Sequence, residues 1–434
     1  MPSYHIQGGK QLHGLILVTA GKNSPVALLC STLLLKGKVV FHHMTHVEEV
    51  ERILEILQSI GVQTHWQDHE TLLVDTSGPL TMDTIDRHAC EVTRSSLLLI
   101  GALVARERQF TLYKSGGCKL GNRTIRPHMY ALDKLGVRVE STEEGYTVST
   151  TDLKGAYVVM YESGDTATEN AIMAAVLAPG TTQIKMASAN YMVQDLCYFL
   201  IAAGAKIEGV GTTTLSIIGV EALHDISEYT PIPDPVDAMA WISLAITTHS
   251  ELTITNCPLD FLELELEKLH VMGQQCTYSN QRLSDNGHFA IVDITLKSSA
   301  LQALPDKLYG RPFPGLNIDN VPLFVPLLTQ AEGTTLVHDW CYENRAVYYL
   351  ELKKVGANIL LLDPHRVMIE GPTQLKGNDV VAPPALRPAM ALLIAMIGAK
   401  DTSVLRDVYQ IERGYEQLIE RLQSVGVDIQ RSEV

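Results

Sequence analysis

The seven residues ALDKLGV, at Ala131–Val137, show the pattern that decides the fold, because variants of this pattern recur along the whole chain. Leucines three residues apart lie on one side of a helix, and the glycine comes where that helix ends. A β-rich segment follows each copy. The glycines stand about 70 residues apart, at Gly61, Gly136, Gly204, Gly273, Gly356 and Gly426. The sequence therefore predicts six copies of one structural unit.

Each copy also contains an earlier helix that is apolar on all sides. Such a helix has to be buried, with sheets packed around it. The apolar segments are VALLCSTLLL (26–35), SSLLLIGALVA (95–105), AIMAAVLA (171–178), AMAWISLAI (238–246), VPLFVPLLTQA (321–331) and ALRPAMALLIAMIGA (385–399). Copies of this length exceed ordinary solenoid repeats and are better interpreted as βαβ-containing modules. The sequence predicts an α/β protein with three modules in each of two lobes.

A chain of 434 residues is too long for one hydrophobic core. Three prolines between residues 229 and 235 interrupt regular structure and mark a candidate hinge. The strand expected at Leu15–Val18 is interpreted as part of the C-terminal half. We therefore predict a discontinuous first lobe of residues 1–20 and 233–434, and a second lobe of residues 21–232. Two connections between two lobes suggest a cleft that closes.

Composition excludes several classes of protein. A formal net charge of −15 argues against a general nucleic-acid or membrane-surface binder. No signal peptide and no membrane span are visible, and the seven cysteines show no CxxC pairing. The histidines lack metal-ligand spacing. We expect a cytoplasmic protein with free thiols, no metal, no cofactor and no obligatory protein partner.

The segment Lys114–Arg123 contains three glycines and a thiol, Cys118, flanked by cations. Glycines at this density indicate a loop whose backbone can approach a ligand closely. Positive charge nearby lowers the pKa of a thiol and favours the reactive thiolate. The alternative interpretation is an ordinary hairpin loop with an incidental cysteine, and the residues alone do not decide between the two.

Cations recur at the predicted starts of helices in this acidic chain. A helix start offers free N–H groups that favour anions, so cations gathered there suggest a converging anion site. Each arginine taken alone is better interpreted as a solvated or capping residue. Asp319 precedes the fifth apolar helix, where it is either an N-cap or a carboxylate base. The cations are Lys22, Arg94, Arg345, Arg387 and Arg413.

Together these segments resemble the enolpyruvyl transferase family, over essentially the whole chain. Within the family, the branch acting on UDP-N-acetylglucosamine is more similar than the branch acting on 3-phosphoshikimate. The matching segments are GKN (21–23), TRSSLLLIGALVAR (93–106), GGCKLGNR (116–123), TATENAIMAAVLAPGTT (166–182), GAKIEGVGT (204–212), ENR (343–345), LR (386–387) and IERGYE (411–416). The resemblance implies a two-lobed inside-out α/β barrel of six βαβαββ repeats, three per lobe.

The resemblance also implies a reaction and the residues that perform it. The family transfers the enolpyruvyl group of phosphoenolpyruvate (PEP) to a hydroxyl by addition and elimination, without a metal. It makes Cys118 a proton donor that fosfomycin should alkylate, Asp319 the base and Lys22 a catalytic cation. The implied substrate-binding residues are Asn23, Arg94, Arg123, Arg126, Ser163, Gly164, Cys341, Arg345, Arg387 and Arg413.

Departures from the family pattern concern the acceptor. The usual PVDLH is TIRPH at 124–128, so Arg126 stands where the family has an aspartate near uracil, and the usual SVGATEN is ESGDTATEN at 162–170. The first hypothesis is transfer to the 3-hydroxyl of UDP-N-acetylglucosamine, as in peptidoglycan synthesis. Another acceptor, such as UMP in a nucleoside-antibiotic pathway, is the alternative. A non-catalytic nucleotide-binding paralogue is the hypothesis from a different class.

Overall fold

The structure is a computed structural model that describes residues 2–116 and 124–433. These residues form two compact units. We call residues 2–21 and 233–433 the terminal unit, and residues 22–116 and 124–232 the inserted unit. Most of the cysteine loop lies outside the described residues.

Strands alternate with helices along the chain. The terminal unit begins with β1 (Pro2–Gln7) and β2 (His13–Leu17). The inserted unit contains β3 (Lys38–Phe41), β4 (Gln63–Trp66), β5 (Leu72–Asp75), β6 (Gln109–Tyr113), β7 (Val137–Ser141), β8 (Gly145–Thr150), β9 (Tyr157–Val159), β10 (Thr181–Lys185), β11 (Lys206–Glu208), β12 (Thr214–Ile218) and β13 (Glu228–Tyr229). The terminal unit resumes with β14 (Glu251–Pro258), β15 (Cys276–Leu283), β16 (Ala290–Leu296), β17 (Leu308–Tyr309), β18 (Gly333–His338), β19 (Asn358–Asp363), β20 (Arg366–Gly371), β21 (Asp379–Val381), β22 (Thr402–Arg406) and β23 (Asp428–Glu433).

The α-helices of the inserted unit are α1 (Asn23–Ser31), α2 (Glu48–Ser59), α3 (Arg87–Val92), α4 (Leu98–Leu103), α5 (Arg126–Lys134), α6 (Asp165–Ala175) and α7 (Tyr191–Ala202). Those of the terminal unit are α8 (Pro235–Thr247), α9 (Glu263–Val271), α10 (Val321–Leu328), α11 (Leu386–Gly398), α12 (Tyr409–Glu412) and α13 (Leu418–Ser424). Short 3-10 helices span Thr32–Leu34, Met82–Thr84, Ser95–Leu97, Leu259–Phe261 and Arg345–Val355. No helix in the described part of the chain combines the length and the apolar character needed to cross a bilayer.

The sheets follow one topology in both units. An edge strand runs parallel to its neighbour, and the next two strands run antiparallel, as in the order β9-β10-β12-β11. The same pattern relates β13-β3-β5-β4 in the inserted unit, and β2-β14-β16-β15 and β17-β18-β20-β19 in the terminal unit. β6, β8 and β7 form a three-stranded antiparallel sheet. In the sheets β9-β10-β12-β11 and β17-β18-β20-β19, the chain runs in the order strand, helix, strand, helix, hairpin, which is the βαβαββ unit.

The two ends of the chain complete sheets of the terminal unit. β2 pairs in parallel with β14, with Leu15 opposite Thr253. β1 lies between β22 and β23, with Tyr4 opposite both Leu405 and Arg431. β1 was not predicted, because its buried side chains, Tyr4 and Ile6, give too short an alternation to indicate a strand.

The predicted apolar helices are buried in the units that contain them. Every residue of α8 is buried, and in α1 only Asn23 is not. α8, α10 and α11 pack against one another in the terminal unit, while α1, α4, α6 and α7 pack in the inserted unit. A helix without a polar face gains the most when sheets and other helices remove all its sides from water. The core of each unit is therefore helical, with the sheets around it.

The predicted helix-ending glycines all have the left-handed backbone that favours glycine, with φ between 85° and 102° at Gly61, Gly136, Gly204, Gly273, Gly356 and Gly426. Two predictions about the helices near these glycines were wrong. The helix over Arg345–Val355 is a 3-10 helix, and it follows Asn344 with φ of 60°. Arg413 does not begin the last helix, because it ends α12, and α13 begins at Leu418.

Candidate active site

The turn that leads into α10 carries Asp319. Its backbone N–H donates to Oδ1 of Asn317 at 2.9 Å. Oε1 of Glu265 on α9 accepts from the backbone N–H of Asn317 at 3.1 Å and from Nδ2 of Asn320 at 2.8 Å. Burial raises the pKa of the Glu265 carboxyl. The N-cap of α10 is Asn320, so the interpretation of Asp319 as an N-cap is wrong, and its carboxylate is left for other contacts.

Two guanidinium groups face this carboxylate. Nη1 of Arg345 lies 3.6 Å from Oδ1 of Asp319, and Nε of Arg387 lies 3.8 Å from Oδ2. The two arginine side chains are 1% and 6% exposed, whereas that of Asp319 is 28% exposed. Solvent therefore reaches the carboxylate, while the two arginine side chains are buried. The structure therefore brings these three predicted residues together.

Arg345 is held by a network that the sequence did not reveal. Its Nε and Nη2 donate to the two carboxylate oxygens of Asp339 at 2.6 and 2.7 Å, and Nη2 also donates to the carbonyl of Ile318 at 2.7 Å. The hydroxyl of Tyr349 donates to Asp339 as well. Burial lowers the pKa of the guanidinium, but Asp339 outweighs burial and the pKa of Arg345 is raised. The guanidinium lies 4.4 Å from the ring of Tyr342, a cation–π contact.

Arg387 is placed by the IERGYE segment. Its Nη1 donates to the hydroxyl of Tyr415 at 2.7 Å, and burial raises the pKa of Tyr415 to about 12. Arg413, at the end of α12, has its guanidinium 6.0 Å from the ring of Tyr409. Cys341 is exposed, two residues after Asp339.

In the inserted unit, Lys22 and Asn23 start α1. Lys22 is the N-cap residue, and its Nζ lies 3.8 Å from Oε1 of Glu49 on α2. The other oxygen of Glu49 accepts from the hydroxyl of Thr93. Nδ2 of Asn23 donates to the hydroxyl of Tyr191 at 3.0 Å. The helix N-terminus and the ammonium together suit an anion.

Arg94, which precedes a 3-10 helix, turns toward the segment before α5. Its Nη2 donates to the carbonyl of Thr124 at 3.2 Å, and the backbone N–H of Arg126 donates to Oγ1 of the same threonine at 3.2 Å. The His128 ring is buried, with Nδ1 2.8 Å from Nδ2 of Asn170. Burial, and to a lesser extent Arg94, lower the pKa of His128 to about 4, so His128 is neutral at pH 7.

The remaining predicted residues lie at the start of α6 or outside the described residues. Oγ of Ser163 donates to the carbonyl of Ala187 at 3.3 Å, and Gly164 is the N-cap of α6 with an extended backbone. Cys118 and Arg123 fall within residues 117–123, so their predicted roles stay predictions.

The sequence analysis did not identify the carboxylates that lie next to the cations. Glu49 carried one usable signal: it is a charged residue in the buried stripe of α2, beside Val50 and Ile53. Asp339 follows a strand and carried no distinctive spacing. For metal, residues 2–116 and 124–433 contain no group of three or more His, Cys, Asp or Glu side chains able to hold an ion.

Comparisons with known proteins agree with this architecture. The family model for EPSP synthase (3-phosphoshikimate 1-carboxyvinyltransferase) matches residues 6–422. The UDP-N-acetylglucosamine 1-carboxyvinyltransferase of Bradyrhizobium diazoefficiens is 33% identical over 435 residues, covering 99% of this chain and 97% of the relative. The protein of the same name from Treponema denticola is 34% identical over 436 residues, covering 100% of both.

Solved structures show the same fold. The enolpyruvyl transferase NikO from Streptomyces tendae superposes with a TM-score of 0.87 at 24% identity, covering 100% of this chain and 99% of NikO. EPSP synthase from Acinetobacter baumannii superposes with a TM-score of 0.78 at 18% identity, covering 100% of both chains. At these identities the likeness concerns the fold alone, and it confirms the predicted fold class.

Fold and sequence together define a transferase of 1-carboxyvinyl (enolpyruvyl) groups. The chain belongs to the enolpyruvyl transferase family, the family of EPSP synthase. It is therefore an enzyme, and the hypothesis of a non-catalytic paralogue is set aside.

Proposed function

We propose that this enzyme transfers the enolpyruvyl group of PEP to the 3-hydroxyl of UDP-N-acetylglucosamine and releases phosphate, in the cytoplasm. One observation carries the choice of acceptor: relatives with that acceptor in their names are 33% and 34% identical over 99% and 100% of this chain. The cysteines of the described residues are free thiols, which supports a reducing compartment.

The proposed reaction has two stages. In the addition stage, the acceptor oxygen bonds to C2 of PEP while its proton leaves to a base and a proton is added at C3. In the elimination stage, the bond from C2 to the phosphate oxygen breaks and a proton leaves C3. The products are the carboxyvinyl ether and phosphate, with no net redox change.

We assign Asp319 as the base that takes the hydroxyl proton. Its partial exposure, with Arg345 and Arg387 fixed at 3.6 and 3.8 Å, supports this role, because the carboxylate is accessible and oriented. Lys22 and Arg94 are assigned to the anionic groups of the substrates, with Arg123 and Arg413. Cys118 is assigned as the proton donor to C3. The binding of PEP and the acceptor by these residues remains part of the proposal.

UMP is the second candidate acceptor. The observation that motivates another acceptor is Arg126, an exposed cation at the start of α5, where the family pattern has an aspartate near the base. A cation changes which groups can be hydrogen-bonded there, since arginine only donates. Asn23, Ser163, Gly164 and Cys341 are assigned to acceptor binding under either candidate.

A competition assay separates the candidates. PEP is supplied in limiting amount with equal concentrations of UDP-N-acetylglucosamine and UMP, and the two carboxyvinyl products are quantified by mass spectrometry. We expect the UDP-N-acetylglucosamine product to exceed the UMP product at least tenfold. A dominant UMP product would replace the first candidate by the second.

Replacing the proposed base tests its role directly. Asp319→Asn keeps the size of the side chain but removes the proton acceptor, so kcat should fall at least about 100-fold, as for loss of a general base. Asp379→Asn is the control, because Asp379 is an exposed carboxylate paired with Arg406. Retention of more than a tenth of the parent kcat by Asp319→Asn would remove Asp319 from the mechanism.

A further inference from the structure

Glu49 brings a negative charge into a group of cations that bind anions under the proposed function. It lies in the first turn of α2 and is 6% exposed. Its Oε1 is 3.8 Å from Nζ of Lys22. That distance exceeds the range of an ordinary hydrogen bond, so Glu49 acts on the ammonium through its charge. The contact between Glu49 and Lys22 is therefore electrostatic.

The position of Glu49 is fixed by a second contact. Its Oε2 accepts from the hydroxyl of Thr93, a buried residue whose Oγ1 also accepts from the backbone N–H of Ser95 at 3.1 Å. Thr93 immediately precedes Arg94 in the chain. One carboxylate therefore connects the segments that carry Lys22 and Arg94. A buried charge with so little freedom acts on its neighbours at short range and is weakly screened by salt.

We propose that Glu49 is a positioning residue and counter-charge for Lys22, which limits how tightly this end of the site holds phosphate groups and so helps product phosphate leave. This inference rests on the proposed function, which assigns Lys22 to the anionic groups of the substrates, and it takes the group at Lys22 to be the phosphate of PEP. A fixed anion beside the ammonium stabilises its charge before substrate arrives and subtracts from the attraction that a phosphate experiences. Removing the anion should strengthen phosphate binding.

The test uses a charge-neutral replacement with a matched control. Glu49→Gln keeps an oxygen that can accept from Thr93, so the packing is preserved while the charge is lost. Glu48→Gln removes one charge from the same helical turn, but Glu48 pairs with Arg52, at 3.6 Å, rather than with Lys22. Circular dichroism during heating checks that both variants are folded.

The measured quantities are the affinity of the full-length protein for inorganic phosphate by titration calorimetry, and KM for PEP. In Glu49→Gln we expect phosphate to bind at least threefold more tightly and KM for PEP to fall by a similar factor, with KM for the acceptor unchanged. Glu48→Gln should stay within twofold of the parent in all three. Unchanged or weaker phosphate binding in folded Glu49→Gln would overturn the inference.

The outcome is distinguishable from failure of the proposed function. If the parent enzyme transfers no enolpyruvyl group, the proposed function fails whatever Glu49 does. If the parent transfers the group and Glu49→Gln leaves phosphate affinity and KM for PEP unchanged, only the counter-charge inference fails.

Discussion

At the scale of single residues, Arg345 combines a structural role with a predicted substrate-binding role. Its guanidinium is buried, its bidentate partner Asp339 is 1% exposed, and one further amino group reaches toward Asp319. Breaking a buried ion pair leaves a charge without compensation, which costs far more than losing a surface pair. The orientation of Arg345 beside Asp319 therefore depends on Asp339.

Asp339→Asn tests this dependence. We expect the free energy of unfolding, measured in urea, to fall by about 3–5 kcal/mol, because the Arg345 guanidinium loses its buried counter-charge. The control is Asp363→Asn, whose partner Arg366 is 49% exposed, so this variant should lower the free energy of unfolding far less than Asp339→Asn. Equal losses in the two variants would show that the Asp339 pair contributes no more than a surface pair.

His128 makes stability depend on pH. Its pKa is about 4 in the folded protein, below the ordinary 6.5, so the unfolded chain binds this proton first as pH falls. The stability from His128 is complete above pH 6.5 and is lost as pH falls through about 4. The difference of about 2.5 pH units corresponds to about 3 kcal/mol.

His128→Gln should therefore reduce the loss of unfolding free energy between pH 7 and pH 4 by about 3 kcal/mol relative to the parent. Urea unfolding at a series of pH values measures this loss. His65→Gln, at an exposed position of the same unit, is the control. Parallel curves for the parent and His128→Gln would show that the histidine does not resist protonation.

At the scale of single residues, the candidate cations and Asp319 could be selected from the sequence, since they stand in short, recognisable motifs. It did not predict Glu49, Glu265 or Asp339. Each of these is a carboxylate whose role depends on a partner distant in the chain, and one sequence carries no record of that pairing. The same limit left the N-cap interpretation of Asp319 open in the sequence, whereas the structure has Asn320 at the cap.

Glycine-terminated helices are the elements that repeat through both units. The sequence predicted them because a left-handed backbone and a change of periodicity are local properties. It did not predict β1, whose place between β22 and β23 is set by pairing across almost the whole chain. Nor did local pattern distinguish the 3-10 helix at 345–355 from an α-helix.

Two of these glycines in the inserted unit allow a graded test. A Cβ at Gly136 would lie 2.2 Å from the backbone carbonyl oxygen of Asp152, whereas a Cβ at Gly204 would lie 3.0 Å from the side chain of His224. Both positions have positive φ, which costs an alanine about 1–2 kcal/mol. The backbone clash at Gly136 adds a further 1–3 kcal/mol or so, while His224 can move.

We therefore expect Gly136→Ala to lower the free energy of unfolding by at least about 1 kcal/mol more than Gly204→Ala. Urea unfolding of the two variants side by side measures this difference, and the parent supplies the reference. Equal losses would mean that the repeat accommodates the clash without cost, and that only the backbone angle matters.

At the scale of the whole molecule, cations stand at the starts of helices from different repeats. The chain carries a formal net charge of −15, yet Lys22, Arg94, Arg345 and Arg387 all stand within a residue or two of a helix start. Under the proposed function, anion binding depends on the local position of each cation rather than on overall charge. The proposed reaction needs several fixed cations and a base.

The most direct test of the central claim is to follow the reaction of PEP with UDP-N-acetylglucosamine by NMR while phosphate release is measured in the same sample. The account predicts that one carboxyvinyl ether on the 3-oxygen forms for each phosphate released, and that both products form at least about 100-fold more slowly in Asp319→Asn. Phosphate released without an ether, or no reaction with either this acceptor or UMP, would contradict it.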